Sequence, residues 1–522
     1  MSEIIVIGAG IAGMTAAIKA SEFGSHVILI SPDYSERSQS VMAMGGINAA
    51  LGKDDTVGEH FTDTMNGGCG INDVNAVKRL TGDAPKIIDW LSKIGTTFTR
   101  DGEGNIDQRY FGGQKKKRTA YAGARTGKQI VTALISECRK KEAEGSVTRF
   151  IGWRFLSLII KDGKCLGAIC INENTLEIRE FLSDSVIMAT GGLNKLFGRT
   201  SGSIHNDGVA TARLFMQGVE LANLEMIQYH PTTVRTPVKR MLITEAARGE
   251  GGNLYTIRDG EKWYFMKEWY PELAELMPRD VVSRSIYKAS DGGKNPVYLD
   301  ISHLDDNLIK TKLDEVYEIC TNYLNLDPTS EAIPVYPGVH FFMGGIRTDD
   351  NHKTNIQGLY AAGECSVQYH GANRLGGNSL LGAVHGGWIA AENAINDSND
   401  DYVNRIDEEI ESFNRFDKNG NSSDVENELA EIMAHSMGIY RNEEDLKDAL
   451  EKLDELNVNA NSYYDYIGLK SLILLAKACV VSALMRKESR GAHQRIDYPD
   501  MSDEYKKTTC ITYDGEINVA FR

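Results

Sequence analysis

A chain of 522 residues exceeds what one hydrophobic core can organise, so two to four domains are expected. With 42% hydrophobic and 25% charged residues it reads as soluble and globular, and a formal charge of −16 leaves no basic excess for a nucleic-acid surface. The eight cysteines include no C-x-x-C pair and fit neither a zinc site nor an iron–sulfur ligand set, so no metal site is assigned and any such cluster belongs to another chain.

The N-terminus, "MSEIIVIGAG", enters a strand at once and carries no secretory pattern, which points to the cytoplasm. Residues 4–7 form a continuous apolar run of the kind buried on both faces of a parallel sheet. "GAGIAG" follows at 8–13, then a helical pattern to Ala20 and a second strand from Val27 to Ile30. The segment 35–46, "SERSQSVMAMGG", fits neither helix nor strand and closes on a Gly pair. The run Lys115-Lys116-Lys117-Arg118 is the one basic exception and reads as a solvated loop or helix face. From Phe155 to Phe181 apolar and polar residues alternate around turn signals at Asp162-Gly163 and Glu173-Asn174, predicting antiparallel strands. "SVIMATGG" (185–192) is another buried strand stopped by glycines.

From 224 to 338 the texture is mixed short elements, after which a strand–Gly pattern returns at 356–366 and leads into a helical stretch to Ala394. The nucleotide domain is therefore expected to be interrupted by an insertion. Residues 400–486 are amphipathic with helical spacing and contain no proline, which predicts a helical bundle. Within it Ser471 to Met485, interrupted by Lys477, is read as a buried helix too short to span a bilayer. The polar segment from 487 is expected to wrap the outside.

Gly8, Gly10 and Gly13 match G-x-G-x-x-G between a strand and a helix, where they permit a tight turn, backbone approach to a pyrophosphate and helix–strand packing. The acidic residue expected to close the second strand is missing: Ser31 stands there and Asp33 follows two residues on, so the ribose contact stays open. His230, Arg248, Arg279, His340 and Arg374 lie in or beside Gly-rich loops. Singly each has an ordinary reading, Arg374 as a helix cap and His340 as a satisfied core histidine. Together they can hold a dianion, because an arginine fork matches a carboxylate bidentately and stays charged.

Further stretches carry a family pattern: "ATGG" (189–192), "HPT" (230–232), "TEAARGEGG" (244–252), "PRD" (278–280), and "GLYAAGE" (358–364) leading into "HGANRLGGNSL" (370–380). With "RTAYAGARTGKQI" (118–130) and "RKESRGAHQR" (486–495), the sequence resembles the flavoprotein subunit of fumarate reductase and succinate dehydrogenase almost end to end. L-Aspartate oxidase shares several stretches, but "RGAHQR" and "FGGQKKKRTAYAGA" are more like the dicarboxylate reductase branch.

The resemblance implies an α/β chain with a split Rossmann-like FAD-binding domain (1–223 and 339–399), an inserted α+β capping domain (224–338), a C-terminal helical domain (400–486) and a tail (487–522). Hinge movement of the capping domain would close the site. Members with covalently bound FAD carry His in "R-S-H-T-V-A-A", where this chain has Gln39, so non-covalent FAD and a tilt towards fumarate reduction are expected. The expected FAD contacts are Gly8, Gly10, Ala12, Gly13, Ser31, Ser38, Gln39, Ser40, Gly45, Gly46, Ala189, Thr190, Gly191, Asp207, Glu364, Arg374, Ser379 and Leu380. His230, Thr244, His340 and Arg374 would bind the carboxylates of a C4-dicarboxylate, fumarate. Hydride from FAD and a proton from Arg279, relayed through Arg248 and Glu245, would give succinate. Electrons would arrive from a partner iron–sulfur subunit in anaerobic electron transport, with no direct membrane insertion of this chain. Free reduced flavin, a nicotinamide-dependent partner and a thiol-linked subunit stay open as donors. The competing readings are L-aspartate oxidase and a non-catalytic FAD electron-transfer subunit.

Overall fold

The computed structural model describes residues 2–123, 125–203, 205–236, 240–399, 401, 403–416, 420 and 422–522. Residues 1 and 400, two of the expected domain limits, lie outside them. Five parallel strands in the order Leu359–Ala361, Ser185–Met188, Glu3–Ile7, His26–Ser31 and Val147–Ile151 build the first sheet. Its edge strand comes from far along the chain, so this layer is split by everything inserted between. The unbroken apolar run at 4–7 has a direct cause. Ile4 and Val6 enter the core shared with helices Ile11–Glu22 and Asn378–Ala394, while Ile5 and Ile7 pack against the strands Trp153–Lys161 and Lys164–Asn172 on the other face. Those two strands pair antiparallel through a turn with φ of 50° at Asp162 and 77° at Gly163, and Ile178–Leu182 adds a third. Two successive positive φ values match the twist that an antiparallel hairpin needs.

A six-stranded antiparallel sheet runs in the order Arg240–Leu242, Ile227–Arg235, Ile333–Phe342, Val297–Asp300, Asn253–Arg258 and Glu261–Trp263. It has its own core, which includes Val234, Ile243, Leu254, Phe265, Val282, Ile286 and Leu299. The strand Ile333–Phe342 passes through residue 338 without a break. Pairing between Ile227–Arg235 and Ile333–Phe342 shifts register between Gln228 and Tyr229 and again between His230 and Thr233. Bulges of this kind re-aim side chains and are over-represented beside active sites.

Helices Ser422–Ser436, Glu443–Glu455 and Tyr463–Met485 close the architecture and share the main core through Leu429, Leu446 and Leu472. Among the described residues, Tyr463–Met485 is the one helix long and apolar enough to cross a membrane, and 72% of its most apolar window is buried inside the protein. It is packed as a core helix.

Two expectations need correction. The C-terminal segment does not wrap the outside. Arg486, Glu488, Arg490, His493 and Arg495 are all buried, and strands Thr509–Tyr513 and Ile517–Phe521 extend the sheet that contains Leu221–Ala222. Arg486 donates to Glu225 Oε1 and Glu488 Oε1 at 2.7 and 2.8 Å, and Arg441 donates to the Glu225 carbonyl at 2.7 Å. A polar sequence can be buried when each charge meets a partner. Composition cannot reveal that pairing. Likewise, Lys115 and Lys117 are exposed, but Arg118 at the end of the same run is 0% exposed and bridges Asp55 and Asp63 at 2.9 and 3.0 Å.

Candidate active site

A continuous cleft of about 1700 Å³, including open solvent at its mouth, runs from the first Gly-rich turn to the edge of the six-stranded sheet. The N-termini of helices Ile11–Glu22 and Asn378–Ala394 both meet it, each adding a positive helix-dipole end. The glycines there are sterically required. A Cβ on Gly13 would lie 1.8 Å from the Gly8 carbonyl oxygen, and one on Gly8, whose φ is 108°, would lie 2.3 Å from Ala189 O. Gly10, by contrast, would meet Ser40 Oγ at 3.4 Å and Ser38 Cβ at 3.9 Å, ordinary contact distances, and it lines the cleft where a ligand can approach. An elongated cleft with two helix N-termini and an open glycine fits FAD by the chemistry of its walls.

Gln39 lies in a short 3-10 turn, Gln39–Met42, and its side-chain oxygen accepts the Ser203 N–H. It therefore ties the segment after the second strand to the loop across the cleft. Ser31 Oγ donates to the Asp33 carbonyl at 2.8 Å, and the Asp33 carboxylate accepts from Arg37 and the Tyr34 N–H at 2.9 and 2.7 Å. Asp33 lines the cleft beside Ser31.

At the other end of the cleft the dianion set comes together. Glu245 Oε2 accepts from Arg279 Nε and lies 2.8 Å from Arg279 Nη2, while Glu245 Oε1 accepts the Gly112 N–H at 2.8 Å and lies 3.3 Å from Arg248 Nη2. One carboxylate thus bridges two guanidinium groups. The helix Ala246–Gly249 sets Arg248 one turn beyond Glu245. Burial works to raise the Glu245 carboxyl, but Arg279 and Arg248 outweigh it and hold it below the usual range. Arg374 donates to Gln228 Oε1 at 2.9 Å, and Arg279 donates to the same oxygen at 3.2 Å. The Arg374 guanidinium stacks 4.2 Å from the Phe341 ring centre, and its Nε has no hydrogen-bond partner among the described residues. Burial first, and Arg279 second, lowers the Arg374 pKa far below its ordinary value.

His230 and His340 lie with ring centres 5.2 Å apart. His230 Nδ1 lies 3.2 Å from the Thr232 carbonyl oxygen and 3.3 Å from the Thr232 N, and Nε2 meets no partner among the described residues. His340 Nδ1 lies 2.9 Å from Ser201 Oγ. Burial, with Arg279 next, holds both imidazoles well below their ordinary pKa, so they are neutral. Burial pushes the Glu364 carboxyl up to about 7. Below about pH 7, where Glu364 holds its proton, Arg248, Arg279 and Arg374 have the Glu245 carboxylate between them, a buried cationic excess. That excess is costly unless an anion completes it.

Of the residues named from sequence, Gly13 packs behind the first turn and Arg248 behind Glu245, and all the others line the cleft. Residues that sequence reasoning missed include Gln228, which bridges both arginines, and Arg154 and Tyr464, which stand beside the expected Asp207. There Arg154 donates to Asp207 at 3.1 Å and lies 4.8 Å from the Tyr464 ring centre, so the helical region itself lines the cleft. Gln228 had a signal, since it stands two residues before His230 on one strand and so faces the same side. Tyr464 had none.

Residues 3–380 match the family model for the FAD binding domain, and residues 426–522 match that for the fumarate reductase flavoprotein C-terminus. The succinate dehydrogenase flavoprotein subunit of Bacillus subtilis is 38% identical over 97% of this chain and 93% of its own length. A fumarate reductase (CoM/CoB) polypeptide from Methanothermobacter marburgensis is 37% identical over 98% of this chain and 96% of its own. Among solved structures, a quinol fumarate reductase chain from E. coli aligns with a TM-score of 0.93 at 30% identity, covering 100% of this chain and 96% of that one.

Proposed function

The chain belongs to the flavoprotein subunits of the fumarate reductase and succinate dehydrogenase family, FAD-dependent oxidoreductases, and on that premise we propose that it reduces fumarate to succinate. The observation that carries this reading is the pair of buried arginines, Arg279 and Arg374, sharing the single oxygen of Gln228. Glu245 is the one carboxylate that Arg279 shares with Arg248, so the cluster keeps an excess of positive charge until a dianion enters. Arg374, His340, His230 and Thr244 hold the two carboxylates, and the neutral histidines donate hydrogen bonds without adding charge. Gripping one carboxylate draws electron density from the alkene and stabilises charge that develops during the reaction.

FAD held by the Gly-rich walls of the cleft would supply the electron pair as hydride. Arg279 supplies the proton to the other carbon from a guanidinium already bonded to Glu245. Arginine is a weak acid in water, with a pKa above about 12. Here the acceptor is a developing carbanion among buried side chains, and Glu245, bridged to Arg248, returns the proton. Fumarate, two electrons and two protons give succinate, so the balance closes.

Gln39 supports the reductive direction and non-covalent FAD, because an amide cannot form the histidyl link of the covalent members. We assign the electron supply to a partner iron–sulfur protein, since the sequence offers one dinucleotide fingerprint and FAD fills it. The test is anaerobic. The isolated chain should oxidise a reduced viologen when fumarate is added, and hardly oxidise NADH. Rapid NADH-dependent turnover would overturn the donor assignment. Rapid L-aspartate oxidation without fumarate specificity would move the chain to the oxidase branch.

A further inference from the structure

Among the described residues, Arg109 is a cation with no carboxylate within ion-pair distance. Asp107, the nearest acidic neighbour in sequence, is engaged instead by the Tyr121 hydroxyl and the Gln108 N–H. The guanidinium donates to two main-chain carbonyls, through Nε to Gly45 O at 3.1 Å and through Nη2 to both Gly45 O and Met44 O, the latter at 3.2 Å. It lies 4.4 Å from the ring centre of Tyr121. Burial draws its pKa down to about 10, against weaker support from Tyr121, Glu250 and Asp107. It is still charged at neutral pH.

Met44, Gly45 and Gly46 line the cleft, and Arg109 does not. In a trans peptide the C=O and N–H point opposite ways. With the Met44 and Gly45 carbonyls turned back to Arg109, the Gly45 and Gly46 N–H groups are turned into the cleft. Neither N–H meets an acceptor among the described residues. The wall cannot retreat: a Cβ on Gly45 would lie 2.7 Å from Phe111, and one on Gly46, at φ 132°, would lie 2.5 Å from Ala120 O. Phe111 in turn adjoins Gly376, beside which stand Glu245 and Arg279, so this wall belongs to the substrate end of the cleft.

We propose that Arg109 is a positioning residue that polarises the two peptides of this wall, so that their N–H groups favour the more electron-rich, reduced form of the flavin ring held against them. The proposal rests on the reading that the ring occupies the substrate end. Hydrogen bonds in series reinforce one another, and a charged donor at the far end strengthens each. Because the charge reaches the ring through backbone, it adds no side chain to the reacting space.

The test measures the flavin midpoint potential by anaerobic dye-equilibrated titration, without fumarate, in FAD-loaded wild type and in Arg109→Lys, Arg109→Gln and Arg109→Met. Affinity for oxidised FAD is measured in parallel by fluorescence. Arg109→Gln and Arg109→Met should lose about tenfold or more in the ratio of reduced to oxidised affinity, which is about 30 mV for a two-electron couple. Arg109→Lys keeps the charge and should retain at least half of that difference, with oxidised FAD bound nearly as well as in wild type. A glutamine variant at the wild-type potential would overturn the proposal, and so would a lysine variant that falls as far as methionine. If Arg109→Met does not retain FAD, the lysine–glutamine comparison decides. Fumarate is absent from the measurement, so its result stands apart from the assignment of substrate.

Discussion

Replacing Arg279 with lysine separates proton delivery from anion binding. In the structure Arg279 places Nε and Nη2 on one oxygen of Glu245, both at 2.8 Å, and Nη1 on Gln228 Oε1 at 3.2 Å. A lysine nitrogen can reach Glu245 or Gln228, but it cannot hold the fork that joins them. The positive charge survives, and Arg374, His230 and His340 are untouched, so KM for fumarate should change by less than about tenfold. A positioned general acid contributes roughly 10²–10⁴ in rate, and its loss should lower kcat by that factor, about 2.7–5.4 kcal/mol on the barrier. The assay is anaerobic viologen oxidation across a fumarate series, with kcat and KM fitted separately. A lysine variant with kcat within tenfold of wild type would remove Arg279 from the acid role. A large rise in KM at unchanged kcat would recast it as a carboxylate ligand.

Acid precipitation should leave the yellow colour in the supernatant, because Gln39 uses its amide oxygen on the Ser203 N–H and offers no nucleophile to the flavin; colour in the pellet would refute this. The flavin-free protein should lose thermal stability between pH 5 and 8 through Glu364. That carboxyl keeps its proton in the fold up to about 7, whereas an unfolded glutamate releases it near 4.5, so its contribution is complete below 4.5 and is lost as the pH rises through about 7. In Glu364→Gln the melting temperature should fall less over this range, and equal slopes for the two proteins would contradict the assignment.

The sequence made the nucleotide half legible because its rules are local. An unbroken apolar strand, a Gly turn and a helix are adjacent in the chain, and Gly8 and Gly13 are dictated by contacts of 2.3 and 1.8 Å that any Cβ would make. The residue types showed that the set could hold a dianion, but the role of each member came from the family resemblance, since nothing local joins residues 230, 279, 340 and 374. What escaped was pairing over distance. Arg118 looked like the end of a solvated basic run because its partners, Asp55 and Asp63, are far away in sequence. The C-terminal segment looked like a polar wrapping because Glu225, which receives Arg486, lies some 260 residues earlier. Tyr464 carried no signal, since a tyrosine near a helix start reads as core until Arg154 and Asp207 are brought beside it.

The grip of the C-terminal segment on Glu225 also bears on the order in which the molecule is made. Residues 221–222 find their sheet partner in 509–513, and Glu225 is held by Arg486 and by the Thr509 hydroxyl. Two residues further on begins the strand that carries Gln228 and His230. On a translating ribosome, chains fold from the N-terminus as segments emerge. The loops of the Gly-rich turn can settle early, but the strand of the substrate end gains its anchor at Glu225 only after residues 486–513 have emerged. Residues 486–513 thus act late on a strand laid down some 260 residues earlier, and the arginine end of the cleft is completed after its glycine end.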